Sequence, residues 1–366
     1  MNVAYVAMAP FISGSERCLQ LILTHCHESD IQPILIAPQK SPMHAWAEQQ
    51  GIQHFSCELV VFDKKRPWRW LFNQFKMLRI LQKNNIEVVH SNQIWSYRAM
   101  VWPSSLLNIK RVCHFRDPVH EGSKWWLNKP LDTAICISDY IAEQYTSTID
   151  ATLATKVETI IDPVIFHSAL SLNERAAVKQ AAKQKLATKP ERFIFGFIGQ
   201  VAPIKGVLEL IALLAHMKTH QWQLIIAGKD PSYSQAYMQK CQVKVVELGL
   251  EDNINFIGFI DNTRDFYLAV DTVVMLSKEE PLGLIPLEAA VHYTPTIASK
   301  VGGLPETIID GKTGWLVDLG TPDNIIEKLN NVIDEDLVSV GQAAREWVES
   351  VSLPSVHCAK LKKIYK

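Results

Sequence analysis

Glu280 and Glu288 flank a Pro/Gly turn in the run Ser277-Lys278-Glu279-Glu280-Pro281-Leu282-Gly283-Leu284-Ile285-Pro286-Leu287-Glu288. A carboxylate can accept two hydrogen bonds at once, which suits the paired hydroxyls of a ribose or a hexose. Gly283 lets a ligand approach the backbone, and the free N–H groups of a first helical turn make an anion site reinforced by the helix dipole. If the whole span were helical, the two acids would lie roughly 12 Å apart along the axis at 1.5 Å per residue. That is the reach of a nucleotide sugar folded over a helix end, with its diphosphate at the turn. Downstream, Val301-Gly302-Gly303-Leu304-Pro305-Glu306 gives another glycine turn whose backbone N–H groups can face phosphate. Taken singly, the acids read equally well as solvated helix-terminal groups and the glycines as plain turns. The whole string in this order favours a ligand site.

Parallel strands would have to position such a site. Short Val- and Ile-rich runs recur at 3–7, 33–37, 87–90, 111–115, 133–137 and 157–161, and again at 193–199, 222–228, 254–259, 272–277, 294–299 and 313–317. Segments with helical spacing separate them, the pattern of strands joined by crossover helices. A polar, Ala-rich helix over 173–185, closing at Thr188-Lys189-Pro190, marks the boundary between the two sets. The expected class is α/β with two doubly wound domains, 1–168 and 191–350, joined by a linker helix in 169–190. Such sheets bind ligands outside the carboxyl ends of their strands, so chemistry should collect at strand-to-helix turns.

Composition removes other classes. The 366 residues carry 37 Lys+Arg against 38 Asp+Glu, a net charge of -1, so no basic excess points to nucleic acid. The 48% hydrophobic content is that of an ordinary globular chain. No apolar run reaches the ~18 residues a bilayer span needs. The start, Met1-Asn2-Val3-Ala4-Tyr5-Val6-Ala7-Met8-Ala9-Pro10, reads as a first strand and not as a signal peptide. The 7 cysteines form no C-x-x-C pair and read as reduced, mostly buried thiols of a cytoplasmic protein. His25-Cys26-His27-Glu28 has no matching second ligand cluster, and neighbouring helical residues do not face one site, so no metal is expected. The chain has neither a Walker lysine loop nor a G-x-G-x-x-G, which argues against ATPase and dinucleotide readings.

The run Glu280-x7-Glu288 with Pro281, Gly283 and Leu287, followed by Gly302-Gly303-x-x-Glu306 and Gly311-x-x-Gly314-x-x-Val317, resembles the donor-binding signature of the retaining glycosyltransferases of family 4. That family has the GT-B fold, two Rossmann-like domains facing a central cleft. Phe197-Ile198-Gly199-Gln200-Val201-Ala202-Pro203-Ile204-Lys205-Gly206 is similar to its diphosphate clamp, and Ile12-Ser13-Gly14-Ser15-Glu16-Arg17 to its first loop. The resemblance spans most of the chain and implies that 351–366 returns to the first domain as a crossover helix. It implies that Glu288 holds the donor ribose, Glu280 the hexose hydroxyls and Lys205 the leaving diphosphate. Gly14, Gly199 and backbone at Pro281, Leu282, Gly283 and Leu284 would line the same donor, and His114 would stand near the transferred sugar. Gln200 departs from the pattern, standing where many members carry arginine and replacing a fixed cation by a neutral donor.

The activity so implied is a metal-independent, retaining hexosyl transfer from a UDP- or GDP-sugar to a glycan or lipid-linked glycan in surface polysaccharide synthesis. Charge grows on the departing diphosphate, so positive charge and N–H donors there are the useful catalysts. No protein nucleophile is evident and no general base is assigned. His114 could polarise a sugar hydroxyl, or simply pack at a strand end. Ser91, Asn92 and Arg116 are acceptor-side candidates, with turn capping, and for Arg116 a structural ion pair with Asp117, as the alternatives. The segment 64–79 lies in a run from Asp63 to Arg79 with six basic residues, one acid and four aromatics. It could dock on an anionic membrane at the inner face, helped by Trp125 and Trp126, or it could bury Trp70, Phe75 and Leu78 as a core face with its cations in water. A degenerate GT-B protein that binds a nucleotide sugar or a partner without turnover is the second reading, favoured by Gln200, and a GT-B epimerase is a third.

Overall fold

A computed structural model describes the chain except residues 61, 120–121, 123–126, 151–153, 187–188, 190 and 220. Trp125, Trp126, Thr188 and Pro190 therefore lie outside the described residues. The chain divides into two compact units, Met1–Val164 with Val351–Lys366, and Ile165–Ser350.

The first unit is built on β1 (Asn2–Val6), β2 (Gln32–Ala37), β3 (Gln53–Ser56), β4 (Val88–Ser91), β5 (Lys110–Phe115), β6 (Thr133–Cys136) and β7 (Lys156–Thr159). They pair in parallel in the order β3-β2-β1-β4-β5-β6-β7. In the second unit β8 (Phe193–Ile198), β9 (Trp222–Ala227), β10 (Ile254–Gly258), β11 (Thr272–Met275), β12 (Thr296–Ser299) and β13 (Gly314–Val317) pair as β10-β9-β8-β11-β12-β13, again all parallel. In both sheets the order reverses next to the first strand, between β1 and β4 and between β8 and β11. Loops leaving the two strands at such a switch point diverge and open a crevice at their carboxyl ends.

Central strands are apolar throughout because both faces are covered. Phe195, Phe197, Leu224 and Ile226 pack into one cluster, while the alternate residues Ile194, Ile198, Ile225 and Ala227 pack into another on the opposite face. Every strand expected from the sequence is present. β3 was not expected, because an edge strand reading Gln-His-Phe-Ser buries little and needs no apolar run.

The helix Leu172–Lys185 is not a free linker. Its Ala182 packs on Leu268 and Ala269, and Lys179 and Lys183 pair with Asp271, so it is a surface helix of the second unit. The last helix, Pro354–Tyr365, buries Cys358, Leu361, Ile364 and Tyr365 in the core of the first unit. All seven cysteines are buried thiols outside any disulfide.

Candidate active site

After β8, Gly199 (φ +139°) and the exposed Gln200 lead into a single 3-10 turn, Pro203–Lys205. Gly206 follows at φ +68°, where a Cβ would lie 2.2 Å from the carbonyl oxygen of Leu276, so only glycine lets this loop close on the end of β11. The Lys278 N–H donates to the Ile204 carbonyl at 2.8 Å and fixes the same approach. As a result Lys205 reaches the neighbouring loop, its Nζ 2.6 Å from Oε2 of Glu280, with side-chain exposures of 21% and 14%. Lys205, expected on the leaving diphosphate, and Glu280, expected on the hexose, are thus brought together as an ion pair at the switch point.

Glu280 lies in the loop after β11, and the helix begins only at Leu284, running to Val291. Glu280 thus lies in the turn, as expected, and Glu288 on the second turn of the helix, so the span between the two acids is only partly helical. Gly283 (φ +100°) caps this helix with no side-chain hydrogen bond. The amides of Leu284 and Ile285 thus open the first turn, while Pro286 has no N–H to offer. Gly302 and Gly303 lean on the Glu280 loop from behind. A Cβ on either would come within 2.1 Å of the Glu280 carbonyl oxygen or 2.4 Å of that of Pro281. The Gly303 N–H, offered above for a phosphate, donates to the Glu280 carbonyl at 2.9 Å, so this glycine buttresses the carboxylate loop. Leu282 is buried beside it. Glu288 accepts a hydrogen bond from the buried Tyr267 hydroxyl at 2.6 Å, a partner with no signal in the sequence because it sits on the short helix Arg264–Ala269.

In the first unit, the loop after β1 ends at Ser13, which caps the helix Gly14–His25. The buried Glu16 carboxylate accepts from the Ser13 N–H at 3.1 Å and the Ser15 hydroxyl at 3.0 Å, which leaves Gly14 exposed at the helix start. Asn92, after β4, donates to the Ser15 carbonyl at 3.3 Å, and Arg116, after β5, donates to the Asn92 carbonyl at 2.6 Å and side-chain oxygen at 2.8 Å. The same guanidinium makes a two-pronged pair with Asp162 at 2.7 and 3.0 Å. Its structural partner is therefore Asp162 and not Asp117. Ser91 is buried and donates to the Gln93 carbonyl at 2.8 Å. Of the acceptor-side candidates, all three are buried and engaged in holding the loops after β1, β4 and β5.

His114 is wholly buried, its ring stacked at 6.0 Å on His357 and 5.5 Å from that of His90, with Nε2 3.5 Å from an Asp162 oxygen. Burial first, and the Arg116 charge second, hold it well below the ordinary histidine range. A neutral ring packed between two histidines is the strand-end arrangement, and the first unit by itself gives this side chain no exposed face. Asp162, which joins His114 and Arg116, was missed in the sequence although it directly follows an expected strand.

The basic aromatic segment forms the helix Pro67–Lys83. Its buried face is Asn73, Gln74, Met77, Ile80 and Leu81, not the expected Trp70, Phe75 and Leu78. Trp68, Phe72 and Phe75 are 61%, 74% and 50% exposed, beside Arg69, Lys76 and Arg79. Among the described residues no helix is long and apolar enough to cross a membrane. No cluster of three or more potential metal ligands occurs among them either.

Family models for "Glycosyl transferases group 1" and "Glycosyltransferase Family 4" match residues 178–349 and 12–162. The chain belongs to the group 1 glycosyltransferases of GT-B fold. This glycosyltransferase is 26% identical over 292 residues to the N-acetyl-alpha-D-glucosaminyl L-malate synthase of Bacillus anthracis, which covers 75% of it and 72% of that protein. It is 28% identical over 202 residues to the lipopolysaccharide core biosynthesis mannosyltransferase LpcC of Rhizobium leguminosarum bv. viciae, covering 54% and 53% of the two, so it spans about half of that relative. The crystal structure of HepE of Anabaena in complex with UDP matches its fold with a TM-score of 0.83 at 18% identity, over 100% of this chain and 99% of that one.

Proposed function

We propose that this glycosyltransferase transfers a hexose from a UDP- or GDP-sugar to a glycan or lipid-linked glycan of a surface polysaccharide, with retention and without a metal. The Lys205–Glu280 pair at the β8/β11 switch point carries this reading. A diphosphate arriving there competes with Glu280 for the lysine cation, which would turn the carboxylate toward the sugar hydroxyls. Lys205 and the first-turn amides of the helix Leu284–Val291 then offset the charge that grows on the leaving group. Gln200 contributes an uncharged donor at most, so Lys205 supplies the fixed cation. The mannosyl and glucosaminyl transfers named for the two relatives support a hexose-type donor. HepE was solved with UDP, which puts uridine first among the bases to test.

Thermal unfolding with UDP, GDP, ADP and their sugars tests the donor, since a ligand at a hundred times its Kd stabilises by about 2.7 kcal/mol. Transfer or donor hydrolysis should then continue in EDTA, fall sharply in Lys205→Ala and Glu280→Ala, and give a product with the donor's anomeric configuration by NMR. An activity abolished by EDTA and restored by Mg²⁺ would reject the metal-free reading. An inverted anomer would reject retention, and absence of turnover with every donor that binds would leave a nucleotide-sugar-binding scaffold. The helix Pro67–Lys83 is the proposed contact with an anionic membrane, since exposed aromatics beside cations match a charged interface. Binding to phosphatidylglycerol vesicles in flotation, lost in Phe72→Ser/Phe75→Ser, is the expected outcome; no wild-type binding would reject it.

A further inference from the structure

Tyr267 stands between the Glu288 carboxylate and a stack of two histidines. Its ring is 1% exposed and its hydroxyl donates to Oε2 of Glu288 at 2.6 Å. The face of the phenol lies on the His292 imidazole, 5.6 Å between centroids and 17° between planes, and His292 in turn lies on His167 at 5.3 Å and 29°. The Thr294 hydroxyl donates to the Tyr267 carbonyl at 2.7 Å, fixing the backbone as well. Three contacts of different kinds therefore hold one phenol in one place, and its single polar atom is aimed at a carboxylate.

Glu288 needs such a hold. It projects from the second turn of an eight-residue helix, and a glutamate has three side-chain torsions to immobilise before it can meet two hydroxyls at once. A carboxylate offers about four acceptor positions, so a donor fixed on Oε2 orients the group and leaves capacity for a vicinal diol. Hydrogen bonds from a phenol to an ionised acid are also stronger than neutral ones, and burial of the ring keeps water from competing.

We infer that Tyr267 is a positioning residue for nucleotide recognition: it holds the Glu288 carboxylate in the orientation that grips the 2′- and 3′-hydroxyls of the donor ribose. The inference rests on the nucleotide-sugar reading under Proposed function and on the assignment of Glu288 to the donor ribose that the family resemblance implies. It makes the tyrosine hydroxyl a determinant of donor affinity with no role in the bond-breaking step.

The test compares UDP with 2′,3′-dideoxy-UDP by calorimetry on the full-length wild type, Tyr267→Phe and Glu288→Ala, with the GDP pair in parallel. Tyr267→Phe should weaken UDP about tenfold, the loss of one charge-assisted hydrogen bond, and leave the dideoxy nucleotide unchanged. In transfer assays it should raise the donor KM with kcat retained. The double variant should bind UDP no worse than Glu288→Ala alone, because the hydroxyl acts through that carboxylate. A Tyr267→Phe protein that weakens both nucleotides equally has lost only packing, and one that weakens neither has an idle hydroxyl; either overturns the inference. If the wild type binds UDP and its dideoxy form alike, or Glu288→Ala keeps the full wild-type preference for UDP, the ribose assignment falls, and the inference with it.

Discussion

Lys205 and Glu280 neutralise each other at 2.6 Å, so their substitutions should act on nucleotide binding in opposite directions. Removing the lysine leaves a carboxylate facing the incoming diphosphate. Removing the carboxylate charge, as in Glu280→Gln, frees the cation without changing the shape of the loop. Competition between two close charges at the effective dielectric of a protein surface is worth a few kcal/mol. UDP without its sugar should therefore bind Lys205→Ala roughly tenfold or more weakly and Glu280→Gln as tightly as wild type or tighter, while both variants lose transfer. Calorimetric titration checks this, and equal weakening by both substitutions would show that the pair serves only the loop. Both residues stand out in the sequence because a charged side chain beside a glycine or proline turn is chemically conspicuous. Tyr267 and Asp162 do not, since a lone tyrosine in a short helix and an aspartate after a strand look ordinary until a distant partner is placed against them.

At the scale of elements, the site is two loops pressed together by backbone contact. Gly206 touches the carbonyl of Leu276 and Gly302 that of Glu280, each in the left-handed region that side chains resist. Gly206→Ala meets both the positive φ and a carbonyl at 2.2 Å. It should cost roughly 1–3 kcal/mol for the backbone strain, with the steric clash in addition, and should displace Lys205 from Glu280. Urea unfolding would read the first effect and loss of the UDP thermal shift the second; an unaltered midpoint would mean that the loop relaxes freely. The strands were legible because doubly covered parallel strands such as Trp222-Gln223-Leu224-Ile225-Ile226-Ala227 are nearly continuous apolar runs. β3 was hidden for the converse reason, whereas Glu280 in the turn and the helix after it were legible because Pro281 and Gly283 mark the break.

For the whole molecule, buried histidines set a limit on acid tolerance. His90, His114 and His357 lie together in the first unit and His292 in the second, all held below the ordinary range chiefly by burial, His357 at about 4 and His292 at about 3. Above the unfolded histidine pKa near 6.5 both states are neutral, and these groups cost nothing. As the pH falls below it, the unfolded chain takes up protons that the folded chain refuses, so stability drops by up to about 1.4 kcal/mol per pH unit for each histidine until its folded pKa is reached. Urea midpoints should thus decline steadily from pH 6.5 to pH 4, and His357→Gln should soften the decline. A flat profile over that interval would mean that the rings are protonated in the fold.

The sequence by itself determined the parallel α/β architecture of both halves, the glycine turns and the charged residues of the donor loops. Those depend on local patterns of apolar burial, backbone freedom and charge, which adjacent residues express together. Only the tertiary structure decided which partner each charge would meet. It turned Arg116 and Asn92 from acceptor candidates into a buried brace with Asp162, packed His114 away between two histidines, and joined Lys205 to Glu280 and Tyr267 to Glu288. Such pairings join side chains from strands and loops far apart in the chain, and a distance of a few ångströms between them has no expression in the order of the residues.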